Sequence, residues 1–222
     1  DMNKLQSGEI VNQNMTFDIA DMLRKVNEAA QIKAEQKQIE YIVEWGKSAF
    51  TNQYLVGNPL YTARILSILA DNAIKFSHMG STISVNCNEE QLDDKHVICE
   101  FVCKDHGIGM SKEFTEHAFE LFSQENESSR TRYEGTGLGL AIAKKLTDRL
   151  HGTICLESEK GVGTIATVRI PFKIGIPDDI NAVQDYKTIS LQGLRVLLVE
   201  DNELNMEIAG YLLRDAGAVV TE

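Results

Sequence analysis

Apolar and polar positions follow two periods along the first half of the chain, one typical of helices and one typical of strands. Apolar spacings of three and four predict amphipathic helices, and short alternating runs predict half-buried strands. Asp18 suits the N-cap of the first helix, and Gly57-Asn58-Pro59 predicts a turn before the second one. The predicted elements are a strand at 15–17, a helix at 18–37, a strand at 38–45, a helix at 60–77, and strands at 82–87 and 97–104. Because a short polar loop joins the last two strands, we expect them to pair as a hairpin.

The next stretch, up to residue 171, continues the alternation of helices and strand pairs. It is predicted to hold a short helix at 112–118, a polar segment at 123–135, a helix at 138–150, and strands at 152–157 and 164–171. Helices that alternate with hairpins predict an α/β two-layer sandwich with a mixed, mainly antiparallel sheet. They do not fit a doubly wound parallel fold, in which single strands alternate with helices.

The pattern changes after residue 173. Residues 174–193 lose the apolar periodicity and contain Pro177, so they are predicted to form a linker. The apolar run at 194–199 is followed by a helical pattern at 203–215 and by another apolar stretch at 218–220. This order of strand, helix and strand predicts the start of a parallel α/β domain.

Charge and composition narrow the classes of function. The 222-residue chain carries 22 basic and 33 acidic residues, a formal net charge of −11, which argues against a surface for nucleic acid or anionic membranes. Its four cysteines have no metal-ligand spacing, and Cys99 and Cys103 share one face of a predicted strand. We therefore expect reduced, structural thiols and a cytoplasmic location. No apolar run approaches the roughly 20 residues that a membrane-spanning helix needs.

Two segments carry side chains suited to a nucleotide. Asn72 and Lys75 are three apart on a predicted helix and share a face, where an amide oxygen suits Mg²⁺ and an ammonium suits phosphate. A polar stripe on an amphipathic helix has the same pattern. Asp105 ends a predicted strand, and a carboxylate accepts hydrogen bonds from the adenine amino group while it rejects the carbonyl of guanine. Gly107 and Gly109 let the backbone bend closely around a flat base, although a tight turn with a solvated aspartate is an equal alternative.

Two glycine-rich turns add to this set. Gly135, Gly137 and Gly139 precede a helix, whose backbone N–H groups and dipole make an anion site. This turn does not follow a strand within a βαβ unit, so the dinucleotide-binding interpretation fails. Thr164 closes the second turn, where its hydroxyl either reaches a ligand or simply joins two strands.

In combination and in this order, these segments resemble the catalytic domain of sensor histidine kinases, a branch of the gyrase–Hsp90–MutL ATPase superfamily. The matching segments are DNAIKFS (71–77), similar to the asparagine box; DHGIGM (105–110), the first glycine box; FELFSQ (119–124), the phenylalanine box; and GTGLGLAIAKKL (135–146), the second glycine box. The resemblance implies the Bergerat ATP-binding fold, with ATP or ADP and Mg²⁺ as ligands.

The resemblance also implies a role for each matching residue. Asn72 would coordinate Mg²⁺, Lys75 would pair with the phosphates, and Asp105 would hold the adenine amino group. Arg132 would contact the γ-phosphate, with Arg130 as the alternative. The remaining implied nucleotide contacts are Gly107, Gly109 and Thr164 at the base, Phe119 and Phe122 as anchors of a mobile lid, and Gly135, Thr136, Gly137, Leu138 and Gly139 at the phosphates.

The two ends of the chain resemble other parts of the same kinases. Residues 1–10 are similar to the tail of the dimerisation and phosphoacceptor helix, so we expect a fragment that begins within a helix. Residues 194–222 are similar to the start of a flavodoxin-like receiver domain, with Glu200 and Asp201 as its Mg²⁺-binding pair. The predicted order is therefore phosphoacceptor tail at 1–10, catalytic domain at 11–173, linker at 174–193 and receiver start at 194–222.

This layout implies a hybrid sensor histidine kinase. It would transfer the γ-phosphoryl group of ATP to a histidine outside this chain and then to a receiver aspartate. The implied partners are the phosphoacceptor and receiver domains of the same protein, which would be a homodimer, with no nucleic acid and no membrane contact in this part. Any membrane anchor would lie elsewhere in the parent protein.

Two residues depart from the family pattern and keep alternatives open. Ile68 stands where the family usually has a polar residue, and Glu134 stands where a glycine is common. A catalytically weak, nucleotide-sensing or scaffolding domain therefore remains an alternative. An ATPase of the gyrase or Hsp90 type is the other, and Ile68 argues against it because those enzymes have an acidic residue there.

Overall fold

The chain divides into two compact units, Asp1–Ile180 and Asn181–Glu222. The computed structural model describes residues 14–46, 49–123, 137–176, 191–200, 206, 209–210, 213–214 and 216–221. The phosphoacceptor tail predicted at 1–10 and most of the linker predicted at 174–193 lie outside these residues. None of the described helices is long and apolar enough to cross a membrane.

The first unit is an α/β two-layer sandwich, which confirms the predicted fold class. Its helices form one layer, in which α1 packs on α2 and α2 packs on α4, and its strands form one sheet. In chain order the elements are β1 Met15–Asp18, α1 Ile19–Gln36, β2 Glu40–Val43, β3 Tyr54–Gly57, α2 Pro59–Phe76, β4 Thr82–Gln91, β5 His96–Asp105, α3 Lys112–His117, α4 Gly139–Arg149, β6 Thr153–Glu159 and β7 Gly163–Ile174.

The sheet is mixed and mainly antiparallel, as predicted. Its strand order is β1-β3-β7-β5-β4-β2, with β6 beside β7. All neighbours are antiparallel except β2 and β4, which run parallel. The long strands β5 and β7 pair from His96–Lys173 to Asp105–Thr164, and they form the centre of the sheet.

The structure corrects the sequence analysis at two strands. Tyr54–Gly57, where no strand is predicted and only Gly57 belongs to the predicted turn, forms β3, which is held by pairing with β1 and with the end of β7. Strand β4 continues to Gln91 instead of ending at 87. Its polar extension remains a strand because β5 pairs with it, and because Glu90 forms an ion pair with Arg169 of β7.

The core lies between the helices and one face of the sheet. Alternate residues of β5 and β7 point into it, among them Val97, Cys99, Val168 and Ile170, all fully buried. Three of the four cysteines are buried free thiols, and Cys155 is an exposed one. Burial raises the pKa of Cys99 and Cys103 to about 12. The burial of these three thiols agrees with the structural role that the sequence predicts.

The second unit contains two short parallel strands, β8 Arg195–Leu197 and β9 Val219–Thr221. Residues 206, 209–210 and 213–214, between these strands, are helical. This agrees with the predicted strand–helix–strand order, while the resemblance to a receiver domain stays a prediction.

Candidate functional site

Asp105 is a buried carboxylate at the carboxyl end of β5. Strand alternation gives it the same orientation as Val97, Cys99 and Cys103, so only 9% of the residue is exposed. Its Oδ1 accepts hydrogen bonds from the amides of Gly107 (2.8 Å) and Thr164 (3.2 Å). Burial raises the pKa of Asp105, and the two amides partly oppose that rise. Among the described residues no donor contacts Oδ2, which leaves this oxygen able to accept from a ligand.

The first glycine turn lies against the end of α2. The amide of Ile108 donates to the carbonyl oxygen of Phe76 over 3.1 Å, and a side chain at Gly107 would collide with the same oxygen. Gly109 has φ +60°, and a side chain there would overlap the backbone of Glu159. The turn is therefore fixed between α2 and the β6–β7 connection, and both glycines are required by close backbone approach.

A row of three polar side chains crosses the sheet at this end. Asp105, Thr164 and Ser158 are direct neighbours on β5, β7 and β6. Ser158 Oγ lies 2.8 Å from Thr164 Oγ1 and accepts a hydrogen bond from the amide of Met110, also at 2.8 Å. The sequence motifs predict a role for Asp105 and Thr164 but give no indication of Ser158. The register of the hairpin around Gly161 is the signal that pairs Ser158 with Thr164.

Helix α2 carries the next part of the site. Asn58 caps its start by accepting from the amide of Tyr61 at 3.0 Å. Near its end, Asn72 and Lys75 are half-buried, and Lys75 Nζ lies 4.7 Å from the centre of the Phe76 ring. Burial lowers the pKa of Lys75, as expected for a cation that has lost part of its hydration.

A second lysine holds the carboxyl end of α2. Lys37 Nζ, from the end of α1, donates to the carbonyl oxygens of Ile74 (2.7 Å) and Lys75 (2.6 Å). A cation at this position satisfies carbonyls that the helix cannot pair and matches the negative end of its dipole. No sequence pattern predicts this role of Lys37, because the residues it contacts are 37 and 38 positions away in the chain.

The amino end of α4 faces Asn72. The helix begins at Gly139 after Leu138, and no side chain caps it. A Cβ placed on Gly139 would lie 3.4 Å from Ile68 Cγ2 and 3.9 Å from Asn72 Nδ2. The predicted anion site and the predicted asparagine thus meet, and Ile68, only 4% exposed, fills the space one helical turn before Asn72.

Phe122 and Gly137 bring together the two ends of the predicted lid. Gly137 has φ +72°, and a Cβ on it would lie 2.8 Å from the Cα of Phe122. The Phe122 side chain itself is 55% exposed, and Phe119 is half-buried. The remaining predicted residues of the lid and phosphate turn lie outside the described residues: Arg130, Arg132, Glu134, Gly135 and Thr136.

The small number of possible metal ligands around Asn72 limits which cation could bind there. This position offers one neutral amide oxygen, since Ile68 is apolar and Asp71 is turned to Lys33, with Nζ 2.7 Å from Oδ1. A single amide ligand fits Mg²⁺, which keeps several waters and binds largely through substrate phosphates. It does not fit a cation held by protein alone, and the described residues contain no cluster of three or more acidic, histidine or cysteine side chains that could hold a metal ion. Glu200 follows β8 in the second unit, and Asp201 lies outside the described residues.

Comparisons with known proteins agree with this geometry. The family model described as histidine kinase-, DNA gyrase B- and HSP90-like ATPase matches residues 57–174. The sensor histidine kinase GacS of Pseudomonas protegens is 31% identical over 221 residues, covering 100% of this chain and 23% of the relative. The autoinducer 2 sensor kinase/phosphatase LuxQ of Vibrio parahaemolyticus is 31% identical over 216 residues, covering 92% of this chain and 24% of the relative. The chain thus spans about a quarter of the length of these curated relatives.

Solved structures share the fold. Full-length ShkA in complex with AMPPNP superposes with a TM-score of 0.61 at 23% identity, covering 98% of this chain and 42% of that one. The catalytic domain of the histidine kinase ThkA gives 0.56 at 21% identity, covering 72% of this chain and 95% of its own.

Proposed function

The chain belongs to the family of histidine kinase-, DNA gyrase B- and HSP90-like ATPases, and from that premise we propose that it is the ATP-binding catalytic part of a hybrid sensor histidine kinase. The relatives that support this proposal are named sensor kinases, among them GacS and LuxQ. The whole parent protein would transfer the γ-phosphoryl group of ATP to a histidine outside this chain and then to an aspartate of a receiver domain.

The observation that carries the proposal is the position of α2 between two ligand-binding features. The turn after Asp105 contacts the helix at Phe76, and the amino end of α4 lies beside Asn72. Four helical residues span about 6 Å, so a base acceptor and an anion site lie on either side of one helical turn. One molecule that joins an aminopurine to a chain of phosphates fits both.

Each group has a distinct role in this proposal. Asp105 accepts from the adenine amino group through its free Oδ2, and Gly107 and Gly109 leave room for the base. Lys75 and the backbone amides from Gly137 to Gly139 bind the phosphates, where fixed positive dipoles stabilise the charge that develops during transfer. The described part of the chain has an apolar Ile68 next to Asn72, and therefore offers no carboxylate there to activate water for hydrolysis.

Asn72 would hold Mg²⁺ together with the phosphates. When bound, the ion would neutralise charge on the phosphate oxygens. Arg132, with Arg130 as the alternative, is our candidate for the γ-phosphate. Phe119 and Phe122 would anchor a lid between them and Gly135, and Thr136 and Leu138 would complete the phosphate turn. Lid closure would exclude water from the bound nucleotide.

The phosphate acceptor and the partners are part of the same proposal. The acceptor histidine would belong to the dimerisation domain, whose helix tail is predicted at residues 1–10. Residues 194–222, with Glu200 and Asp201, would begin the receiver, and the parent would act as a cytoplasmic homodimer that any membrane anchor tethers from elsewhere in the sequence.

The test is a phosphorylation assay with radiolabelled ATP. This chain alone should bind ATP or ADP with Mg²⁺ and acquire no acid-labile label. Added to a separate polypeptide that carries the dimerisation helices of the parent, it should label that polypeptide, more slowly than the intact kinase because the tether is gone. Stable label on the 222-residue chain itself would contradict the assignment of the acceptor. Binding without transfer, in the intact parent as well, would favour a nucleotide-sensing domain, and rapid hydrolysis would favour a gyrase-like ATPase.

A further inference from the structure

The hydroxyl of Ser158 has three hydrogen-bonding contacts inside the candidate site. It accepts from the amide of Met110 at 2.8 Å, lies 3.0 Å from the carbonyl oxygen of Gly163, and lies 2.8 Å from Thr164 Oγ1. Ser158 is half-buried on the inner face of β6, directly beside Thr164, and Thr164 is directly beside Asp105. The three side chains therefore share one environment.

The number of available protons determines which hydroxyl donates in each of these hydrogen bonds. Ser158 has one proton, and the carbonyl of Gly163 can only accept. If Ser158 donates to Gly163, the proton of Thr164 is free to bond Ser158, and all three contacts contain a hydrogen. If Ser158 donated to Thr164 instead, two lone pairs would face each other across the 3.0 Å contact with Gly163. The first arrangement is the favourable one, because unpaired polar contacts in a partly buried site are costly.

The favoured arrangement leaves Thr164 Oγ1 with lone pairs only. Next to it, the carboxylate of Asp105 is also an acceptor, and the side chains of directly paired strand residues lie about 5 Å apart. A ligand that meets this edge therefore faces two acceptors. Such an edge suits an amino group, which carries two protons, and repels a carbonyl oxygen at the same position.

We propose that Ser158 is a positioning residue for base selection: by taking the Thr164 proton, it makes Thr164 a second acceptor beside Asp105 and so favours 6-amino over 6-oxo purines. The inference rests on the nucleotide-binding function proposed above. In this proposal Ser158 does not contact the ligand. It acts by orienting the hydroxyl of Thr164.

The experiment compares ADP with inosine diphosphate, which has a 6-oxo group and the same sugar and phosphates. Titration calorimetry of the full 222-residue chain with each diphosphate gives an affinity ratio. Wild-type protein should prefer ADP. In Ser158→Ala the Thr164 proton loses its acceptor and becomes available to the 6-oxo group, so the ratio should fall by about tenfold. Ser158→Thr keeps a hydroxyl and should restore most of the preference.

A purely structural role for Ser158 predicts a different result, because a loosened turn weakens both ligands equally and leaves their ratio unchanged. Thr164→Val should lower the ratio as Ser158→Ala does, and the double variant should lower it no further, since both changes act on one hydrogen bond. Thr153→Ala, on the opposite face of β6, is the matched control and should leave the ratio unchanged.

Two outcomes overturn the inference in distinguishable ways. If wild-type protein binds ADP in preference to inosine diphosphate but Ser158→Ala keeps that ratio within twofold, the role of Ser158 is wrong and the nucleotide site stands. If wild-type protein binds neither diphosphate, the proposed function fails and this inference fails with it.

Discussion

At the scale of one residue, the carboxylate of Asp105 is held in a buried position that costs free energy. Burial favours its protonated form, while the amides of Gly107 and Thr164 favour the carboxylate and occupy only Oδ1. The remaining oxygen is an acceptor at a largely buried position, where the lack of a hydrogen-bond donor costs free energy. The same unpaired acceptor that would make Asp105 selective for a base therefore destabilises the protein when no ligand is bound.

Replacing Asp105 with Asn should weaken ATP binding and make the site less selective between ATP and GTP. The amide still accepts from both backbone N–H groups through its oxygen, but its NH₂ meets the adenine amino group. We expect ATP affinity to weaken by about 1–3 kcal/mol and discrimination against GTP to relax. Calorimetric titration with both nucleotides measures this, with thermal unfolding as the check on folding. An unchanged ATP affinity in the folded variant would remove Asp105 from the base site.

The stability of the ligand-free protein should depend on pH through Asp105 in a defined direction. Because the folded-state pKa is raised above the ordinary 3.8, the ionised carboxylate destabilises the fold at neutral pH. That penalty disappears as pH falls through the folded pKa. Asp105→Asn should therefore be at least as stable as wild type at pH 7, with the difference shrinking toward pH 4. Urea unfolding of both proteins across this range provides the measurement, and a gap that widens on acidification would contradict the raised pKa.

Helix α2 is the element on which the site depends, and its two ends are held differently. Asn58 caps its start locally, through the amide of Tyr61 three residues later. Lys37 holds its end from another helix, through the carbonyls of Ile74 and Lys75. Only the second end lies beside the residues proposed to contact a nucleotide.

Substitutions at the two ends of α2 should separate stability from binding. Asn58→Ala should cost about 1 kcal/mol of unfolding free energy and leave ADP affinity unchanged. Lys37→Met should cost a similar amount, about 1–2 kcal/mol, and also weaken ADP binding because Lys75 loses its fixed backbone. Denaturant unfolding and ADP titration on both variants test the pair. If the Lys37→Met and Asn58→Ala variants bind ADP with the same affinity, Lys37 contributes to stability alone.

At the scale of the whole first unit, one layer of helices covers one face of the seven-stranded sheet. The inner face is closed by apolar residues and holds three thiols, and the open face carries charged pairs such as Arg169 with Glu90 and Glu100. The proposed nucleotide site lies at one end of this sandwich, where strands and helices end and backbone groups become available.

This layering predicts the reactivity of the four cysteines. In the native protein a thiol reagent should modify Cys155, which is exposed, and spare Cys87, Cys99 and Cys103, because burial hides them and raises their pKa. Unfolding in guanidinium should release all four. Titration with a chromogenic disulfide at pH 8 counts the reactive thiols, and the Cys155→Ser variant is the control. Rapid reaction of more than one thiol in the folded protein would contradict the closed core.

The sequence by itself determined the features that are encoded locally. Strong helical periodicity predicted α1, α2 and α4, and cap and turn residues such as Asp18 and Asn58 fixed where helices begin. Strand alternation placed Cys99 and Cys103 on one face, and both are buried. Local order was enough because helix faces, caps and glycine turns depend on neighbours a few residues away.

Only the tertiary structure decided the features that depend on distant partners. Strand β3 has four residues and a weak signal, and it exists because β1 and β7 supply its hydrogen bonds. The polar end of β4 is a strand because β5 pairs with it. Ser158 and Lys37 lie at the candidate site only because strand register and helix packing bring them to Thr164 and to the end of α2. Pairing between residues far apart in the chain produces no periodic pattern in the sequence. These contacts can therefore be identified only from the folded structure.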